Sequence, residues 1–384
     1  MRLGRRLSVY AVAAALGIAA ACGEPTTTVT PTPTVQTPKL LWTTVIAGGG
    51  IAADASGVYL SANSGGITVL SRTTGVPERT LTQVGTGGND DLRLVGNALL
   101  FSGFETRLTD IATGGTRWNN ALTRSGTPML LNDSLAFIVG NATPRVHAIR
   151  LGDGTTKWTA DASPDDFLVT PSTFVLITGS AVNESVVVAT YAVTNAFSSV
   201  QQSGMAAFDA QTGARKWTVR LTDPDIRLGQ PAIAGGMAVA TTGAGVSYGV
   251  NIATGQRIWT AASVSVLSSP ALFGGQTYAT NGLAVASDGL IGRSALDPLT
   301  GQRLWQAADL AVNSSVAWAM VLPNGQLMAT NRFGHLVGIE VSRTPRVVWS
   351  YPLSVIETPV AGTALGDTVF ITTRQRVHAF VVPR

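Results

Sequence analysis

A ten-residue segment ending in tryptophan recurs five times in this chain, and nothing else in the sequence restricts its fold as tightly. The copies are TDIATGGTRW, IRLGDGTTKW, FDAQTGARKW, VNIATGQRIW and LDPLTGQRLW, ending at Trp118, Trp158, Trp217, Trp259 and Trp305. Each holds a glycine four places before the tryptophan: Gly114, Gly154, Gly213, Gly255 and Gly301. Eight places before it stand Asp110, Asp209, Asn251 and Asp297, with Arg150 as the exception. A small residue usually stands ten before: Ala148, Ala207, Gly249 and Ala295. Two weaker copies keep the register, one ending at Trp349 with Pro345 in the glycine place, the other at Arg79 after Thr74-Gly75. Trp42 supplies an eighth position near the N-terminal edge.

The positions 42, 79, 118, 158, 217, 259, 305 and 349 are spaced by 37, 39, 40, 59, 42, 46 and 44. A repeat of about 40–45 residues suits one four-stranded propeller blade. Upstream of each motif the sequence reads as a hairpin. GGMAVATT (235–242), a turn at Gly243-Ala244-Gly245 and VSYGVN (246–251) form one case; NDSLAFIVG (132–140), a turn at Asn141 to Pro144 and RVHAIR (145–150) form another. Short β-rich runs between Gly/Asn/Pro turns, with no helical periodicity, predict an all-β chain. Some seven residues before these hairpins recur Thr127-Pro128, Thr170-Pro171, Gln230-Pro231, Ser269-Pro270 and Thr358-Pro359. Proline cannot donate to a ladder, so it belongs on an edge strand, here the innermost strand of each blade.

The expected roles follow. Asp/Asn and Thr-Gly make the turn between third and fourth strands, with glycine free to take positive φ. The tryptophan is a plate on the outer strand, wedged against the next blade, its indole N–H needing a backbone acceptor. RVHAFVV (376–382) has the small residue Ala379 but no tryptophan after it, while the strand around Leu40 to Thr43 has Trp42 but no hairpin before it. Joined, they complete one blade, close an eight-bladed ring of about 43 residues per blade over 39–384, and remove its open edges.

The N-terminus reads as an address. Arg2, Arg5 and Arg6 precede an apolar stretch from Leu7 to Ala21 that ends in Ala19-Ala20-Ala21-Cys22. A charged start, a short apolar run and small residues before a cut describe an export signal, and fifteen apolar residues fall short of a spanning helix. Residues 1–21 are thus expected to be a signal peptide. Glu24 to Pro38 (EPTTTVTPTPTVQTP), with four prolines and no glycine, is expected to be an extended tether. Composition limits the rest. The pI near 9.5 would suggest a nucleic-acid partner, but three of the basic residues are those first arginines; from residue 22 on, basic and acidic residues number 23 and 22. A nucleic-acid-binding body needs a basic excess on some face, and none is expected here.

Two resemblances build on these residues. Cys22, directly after Ala19-Ala20-Ala21, resembles the lipobox of bacterial lipoproteins, in which the cysteine becomes the acylated first residue of the mature chain. That resemblance, with Gly23 rather than Asp next, implies a lipid anchor in the outer membrane, facing the periplasm; it also leaves residues 22–38 as lipidated tether and the propeller without a thiol. The A-x-D-x-x-T-G-x-x-x-W pattern with the upstream Ser/Thr-Pro resembles the PQQ-type propeller repeat of quinoprotein dehydrogenases. It is also similar to the BamB-type lipoproteins of outer-membrane assembly, which share the repeat without the cofactor. This likeness implies a non-catalytic interaction scaffold without cofactor or metal, its partner a protein of the cell envelope such as the β-barrel assembly machinery. Two other readings stand beside it: an envelope lipoprotein propeller that binds a ligand or another partner, and a PQQ-dependent dehydrogenase. The resemblance makes the last testable, because such dehydrogenases are longer, stack adjacent cysteines on the cofactor and bind Ca²⁺ through carboxylates. Here Cys22 is the sole cysteine.

No catalytic set has a local signature. His147, His335 and His378 fall beside third-strand residues of three blades, where ring rotation should hold them apart, and they are expected to be ordinary strand residues. Asp90-Asp91, Asp165-Asp166 and Asp223 with Asp225 cluster in connections leading to inner strands and are expected to be solvated, with a weak cation site as the alternative. The 59-residue spacing hides an insertion, and Thr194 to Gly204 reads as an enlarged connection between second and third strands; Asn281 to Ile291 reads as the same connection enlarged two blades on. Strand alternation puts both on one rim. Phe197 and Val200 on one, with Leu283, Val285 and Leu290 on the other, are the candidate partner contacts, since binding usually lives on loops of a rigid scaffold.

Overall fold

The computed structural model describes residues 35–384 apart from 63–65, 82–90, 103–104, 121–129, 133, 140–143, 166–172, 196–199, 223–226, 263–275, 288–292, 307–309, 311–317, 331–334, 354–356 and 358. Cys22 and the signal segment therefore lie outside the described residues. The body, Val35–Arg384, contains eight four-stranded antiparallel sheets and, among the described residues, no α-helix. It is an eight-bladed β-propeller.

Strand β1 (Lys39–Val45) opens the chain's body and is set aside until its end. Blade 1 is β2 (Ile51–Ala53), β3 (Val58–Ala62), β4 (Gly66–Leu70) and β5 (Pro77–Leu81). Blade 2 is β6 (Asp91–Val95), β7 (Ala98–Ser102), β8 (Thr106–Asp110) and β9 (Thr116–Asn120). Blade 3 is β10 (Leu130–Leu131), β11 (Leu135–Val139), β12 (Arg145–Arg150) and β13 (Thr156–Asp161). Blade 4 is β14 (Thr173–Val182), β15 (Val186–Asn195), β16 (Val200–Asp209) and β17 (Arg215–Arg220). Blade 5 is β18 (Ala232–Ala234), β19 (Met237–Thr241), β20 (Val246–Asn251) and β21 (Arg257–Ala262). Blade 6 is β22 (Gln276–Thr280), β23 (Leu283–Ser287), β24 (Arg293–Leu296) and β25 (Arg303–Gln306). Blade 7 is β26 (Ala319–Val321), β27 (Leu327–Thr330), β28 (His335–Glu340) and β29 (Arg346–Pro352). Blade 8 is β30 (Pro359–Leu365), β31 (Thr368–Thr373) and β32 (Arg376–Val381), and its fourth strand is β1.

The closure matches the sequence reading, with Trp42 directly opposite Ala379. First strands touch the first strands of neighbouring blades, β2 against β6 and β30 and β14 against β10 and β18, so they surround the axis. The described prolines agree with that place. Pro231 lies just before β18 and Pro359 begins β30. Second strands are apolar on both faces because each blade is sandwiched between two others: β7, β11 and β19 are buried at every position. Outer strands alternate instead, as β21 does around buried Trp259.

The tryptophans hold neighbouring blades together. Trp118 Nε1–H donates to Leu151 O at 2.9 Å, Trp158 to Ala210 O at 3.2 Å, Trp217 to Ile252 O at 2.8 Å, Trp259 to Pro298 O at 2.8 Å and Trp305 to Ser342 O at 2.8 Å. Trp42 does the same across the seam, to Arg72 O at 2.8 Å. Each acceptor is three residues before the glycine place of the next blade. The indole then lies flat on that glycine: a Cβ on Gly301 would meet Trp259 Cδ2 at 2.5 Å, and Gly301 has φ +71°. On its own blade the plate covers the small residue opposite, so a Cβ on Gly249 would meet Trp259 Cε2 at 2.0 Å. Burying a side chain of this size contributes up to about 4–6 kcal/mol.

Two departures show that the position serves one purpose. Arg79 replaces the plate in blade 1, and its Nη2–H donates at 2.8 Å to Ile111 O, the carbonyl an indole would use, while Leu81 packs on Gly114. Trp349 faces blade 8, where the turn is replaced by the two chain ends. Its N–H goes to Gln326 Oε1 at 2.8 Å, and Gln326 Nε2–H reaches Pro383 O at 3.4 Å. One residue of the segment expected to be a tether is held on the body. Gln36 forms a parallel bridge with Trp349, its N–H donating to Val348 O at 3.0 Å and its carbonyl accepting Ser350 N–H at 2.9 Å.

Candidate interaction face

Alternating strand direction places second-to-third and fourth-to-first connections on one face and the Thr-Gly turns on the other. On the turn face the Asp/Asn side chain fastens the loop that seats the glycine in blades 2, 4, 5 and 6. Asp209 Oδ1 accepts Gln211 N–H at 3.0 Å and Thr212 N–H at 2.9 Å. Hydrogen bonds from Arg117 and from the Thr113 amide hold Asp110 down to about 2. These carboxylates hold the turns in shape.

The structure changes the reading of both proposed insertions on the other face. In blade 4 the extra residues do not make a loop. They lengthen β14, β15 and β16 to ten residues each, against two to seven in the first three strands of other blades. Thr194 pairs with Val200, and only 196–199 connects the strands. Val200 is consequently buried, 8% exposed, and Phe197 lies outside the described residues. The extension has its own small core of Val175, Tyr191 and Val193, and Tyr191 O–H donates to Val219 O at 3.3 Å. Leu221 N–H and Thr222 N–H both donate to Ser203 O, at 3.0 and 3.1 Å, which fixes it to the blade 4–5 connection. Phe174 stands out from it, 41% exposed.

In blade 6 the correction is larger. Asn281 and Gly282 form the two-residue turn between β22 and β23, with φ of +50° and +73°, as an Asn-Gly hairpin requires. Leu283 and Val285 are therefore second-strand core residues, 8% and 0% exposed, and offer no partner contact. Asn281 also fixes blade 7, donating from Nδ2 to Val341 O at 2.9 Å. Leu290 lies outside the described residues.

The ionisable candidates sort similarly. Asp165 pairs with Arg215; Asp90, Asp166, Asp223 and Asp225 lie outside the described residues. His147, His335 and His378 sit on the third strands of blades 3, 7 and 8. His378 belongs to a buried group at the seam: Nδ1 is 3.0 Å from Thr43 Oγ1 on β1, and Nε2 is 3.4 Å from Glu357 Oε2, whose other oxygen accepts Arg376 Nη1–H at 2.9 Å. Burial lowers the His378 pKa; Glu357 opposes and Arg376 adds to that shift.

Among the described residues, the face thus combines the ring with a three-stranded extension in blade 4. A family model described as outer membrane protein assembly factor BamB matches residues 34–160 and 177–382. No curated protein matches the chain. Among solved structures, BamB from Moraxella catarrhalis is similar at 15% identity and TM-score 0.60, over 90% of this chain and all of that one. A quinohemoprotein alcohol dehydrogenase from Pseudomonas putida HK5 (11% identity, TM-score 0.61, 91% of this chain and 77% of that) and a europium-containing methanol dehydrogenase (12%, 0.63, 90% and 93%) share the architecture. At such identities these likenesses show the fold alone. With the family's pattern running through nearly every blade, this chain belongs to the family of the outer membrane protein assembly factor BamB.

Proposed function

We propose that the protein is a lipid-anchored periplasmic scaffold, held by Cys22 to the outer membrane, that assists β-barrel protein assembly by docking an envelope partner on the face from which blade 4 protrudes. The observation that supports this most directly is the family match across blades 1–8. The role assigned here is non-catalytic. The chain binds through a pre-formed surface, and a ring braced by interblade tryptophans meets the partner with little ordering cost. A quinone-dependent dehydrogenase draws support from the likeness to two dehydrogenases. Against it stands a sequence without adjacent cysteines.

The test is crosslinking in intact cells, with photo-reactive side chains at Phe174 and Phe197. Recovery of an outer-membrane β-barrel assembly protein is expected, and its loss from the Cys22→Ser strain. Crosslinks confined to soluble periplasmic proteins would remove the assembly role. A quinone spectrum on reconstitution with PQQ and Ca²⁺, with dye reduction, would favour the enzyme.

A further inference from the structure

The turn between the third and fourth strands of blade 3 keeps the path of its sisters and reverses their charge. In blade 4 it is Asp209 that receives the two turn amides. In blade 5 Asn251 Oδ1 accepts Ala253 N–H at 2.9 Å and Thr254 N–H at 3.1 Å, and in blade 6 Asp297 Oδ1 accepts Leu299 N–H at 3.0 Å and Thr300 N–H at 3.3 Å. Blade 3 has Arg150 in that place. Its backbone is nonetheless the same: Gly154 N–H donates to Arg150 O at 2.9 Å, Arg150 N–H to Thr155 O at 2.9 Å, and Gly154 has φ +72°. The amides of Gly152 and Asp153 are thus the pair that a carboxylate or amide oxygen receives elsewhere. Among the described residues none accepts the Gly152 N–H, and that of Asp153 faces its own carboxylate.

These residues line an open pocket of about 420 Å³, formed by Ser134, Leu135, Arg150, Gly152, Asp153 and Lys157. Space is open at Gly152, where an added Cβ would meet nothing within 4 Å. Arg150 is steadied by one hydrogen bond to Thr155 Oγ1 at 3.1 Å, and Lys157 by one to Gln211 Oε1 at 2.7 Å; Arg150 also attracts the Asp153 carboxylate electrostatically. The one acid, Asp153, spends Oδ1 on Thr155 N–H and O–H at 2.9 and 2.6 Å, the task done in blade 4 by the Thr212 hydroxyl. The pocket therefore has a net positive charge, a guanidinium fork, an ammonium and a free amide.

We propose that this pocket binds a phosphate group. A carboxylate needs no more than the amide pair, as the sister turns show. Arg150 and Lys157 add donors from other directions, which suits an oxyanion with three or more acceptor oxygens. The group could belong to a soluble phosphate or to a lipid headgroup.

Calorimetric titration of the full chain with inorganic phosphate, at constant ionic strength, tests this. Saturable single-site binding is expected. Arg150→Asp, which restores the sister turns' own carboxylate and so keeps the fold, should weaken it at least tenfold, and Lys157→Gln several-fold. No saturable binding, equal binding by Arg150→Asp, or acetate binding as tightly as phosphate would each overturn the proposal. With phosphate binding established, retention on phosphatidic acid vesicles that Arg150→Asp loses assigns a lipid source, and no such retention assigns a soluble one.

Discussion

At the scale of single residues, glycine and tryptophan act as a pair divided between blades. Gly213 has φ +72°, and an added Cβ would stand 2.6 Å from Trp158 Cδ2. Gly96 has φ +56° with nothing within 4 Å. Gly96→Ala should therefore cost only the left-handed strain of about 1 kcal/mol, whereas Gly213→Ala adds overpacking, about 2–4 kcal/mol altogether. Equal losses in denaturant unfolding would show that the glycines serve the turn alone. His378 gives the pH counterpart. Its folded pKa is lowered by burial, so the unfolded chain binds the extra proton first, and stability is full above about pH 6.5 and falls as pH drops below it. His378→Asn should reduce the fall in thermal midpoint between pH 7.5 and 5.5; an unchanged fall would assign it to other groups, His147 first among them.

At the scale of elements, blade 4 decides what can be removed. Deleting Thr194–Gly204 would take out buried Thr194, Val200 and Ser203 and the strand pairing with β15, and blade 4 should unfold. Exchanging only 196–199 for Asn-Gly preserves the ladders, so the thermal midpoint should stay within a few degrees while partner capture is lost. Loss of the folded state on that smaller exchange would mean that the tip is part of the blade core. The two misread insertions share a cause. Periodicity finds an excess of residues but not whether it lengthens strands or loops, because the spacing between two tryptophans counts residues and carries no information on how they pair. The Asn281-Gly282 pair was a legible hairpin signal, and it places the turn before β23 rather than after it.

At the scale of the whole molecule, stability depends on the seam, since among the described residues blade 8 alone is assembled from both ends of the chain. Trp42 is 7% exposed, packs on Phe370 with ring centres 6.0 Å apart, and bonds to blade 1. Trp42→Ala should cost about 3–5 kcal/mol, and deleting residues 1–45 should expose the β32 edge and make the protein aggregate, as size-exclusion chromatography would show. A monomeric, cooperatively melting truncation would show that the ring does not need its closing strand.

What the amino-acid order settled alone was the repeat and everything that follows from nearest neighbours in the chain: the number of blades, the turns, the plate positions and the matching halves at Trp42 and Ala379. These are written in short spacings, and each copy reinforces the next. Only the folded ring decided which apolar residues face a partner, because burial at Val200, Leu283 and Val285 depends on strands and blades remote in sequence. The same is true of Arg150. In sequence it is a lapse from the pattern; its place beside Gly152 and Lys157 depends on a turn that keeps its path with no carboxylate at position 150.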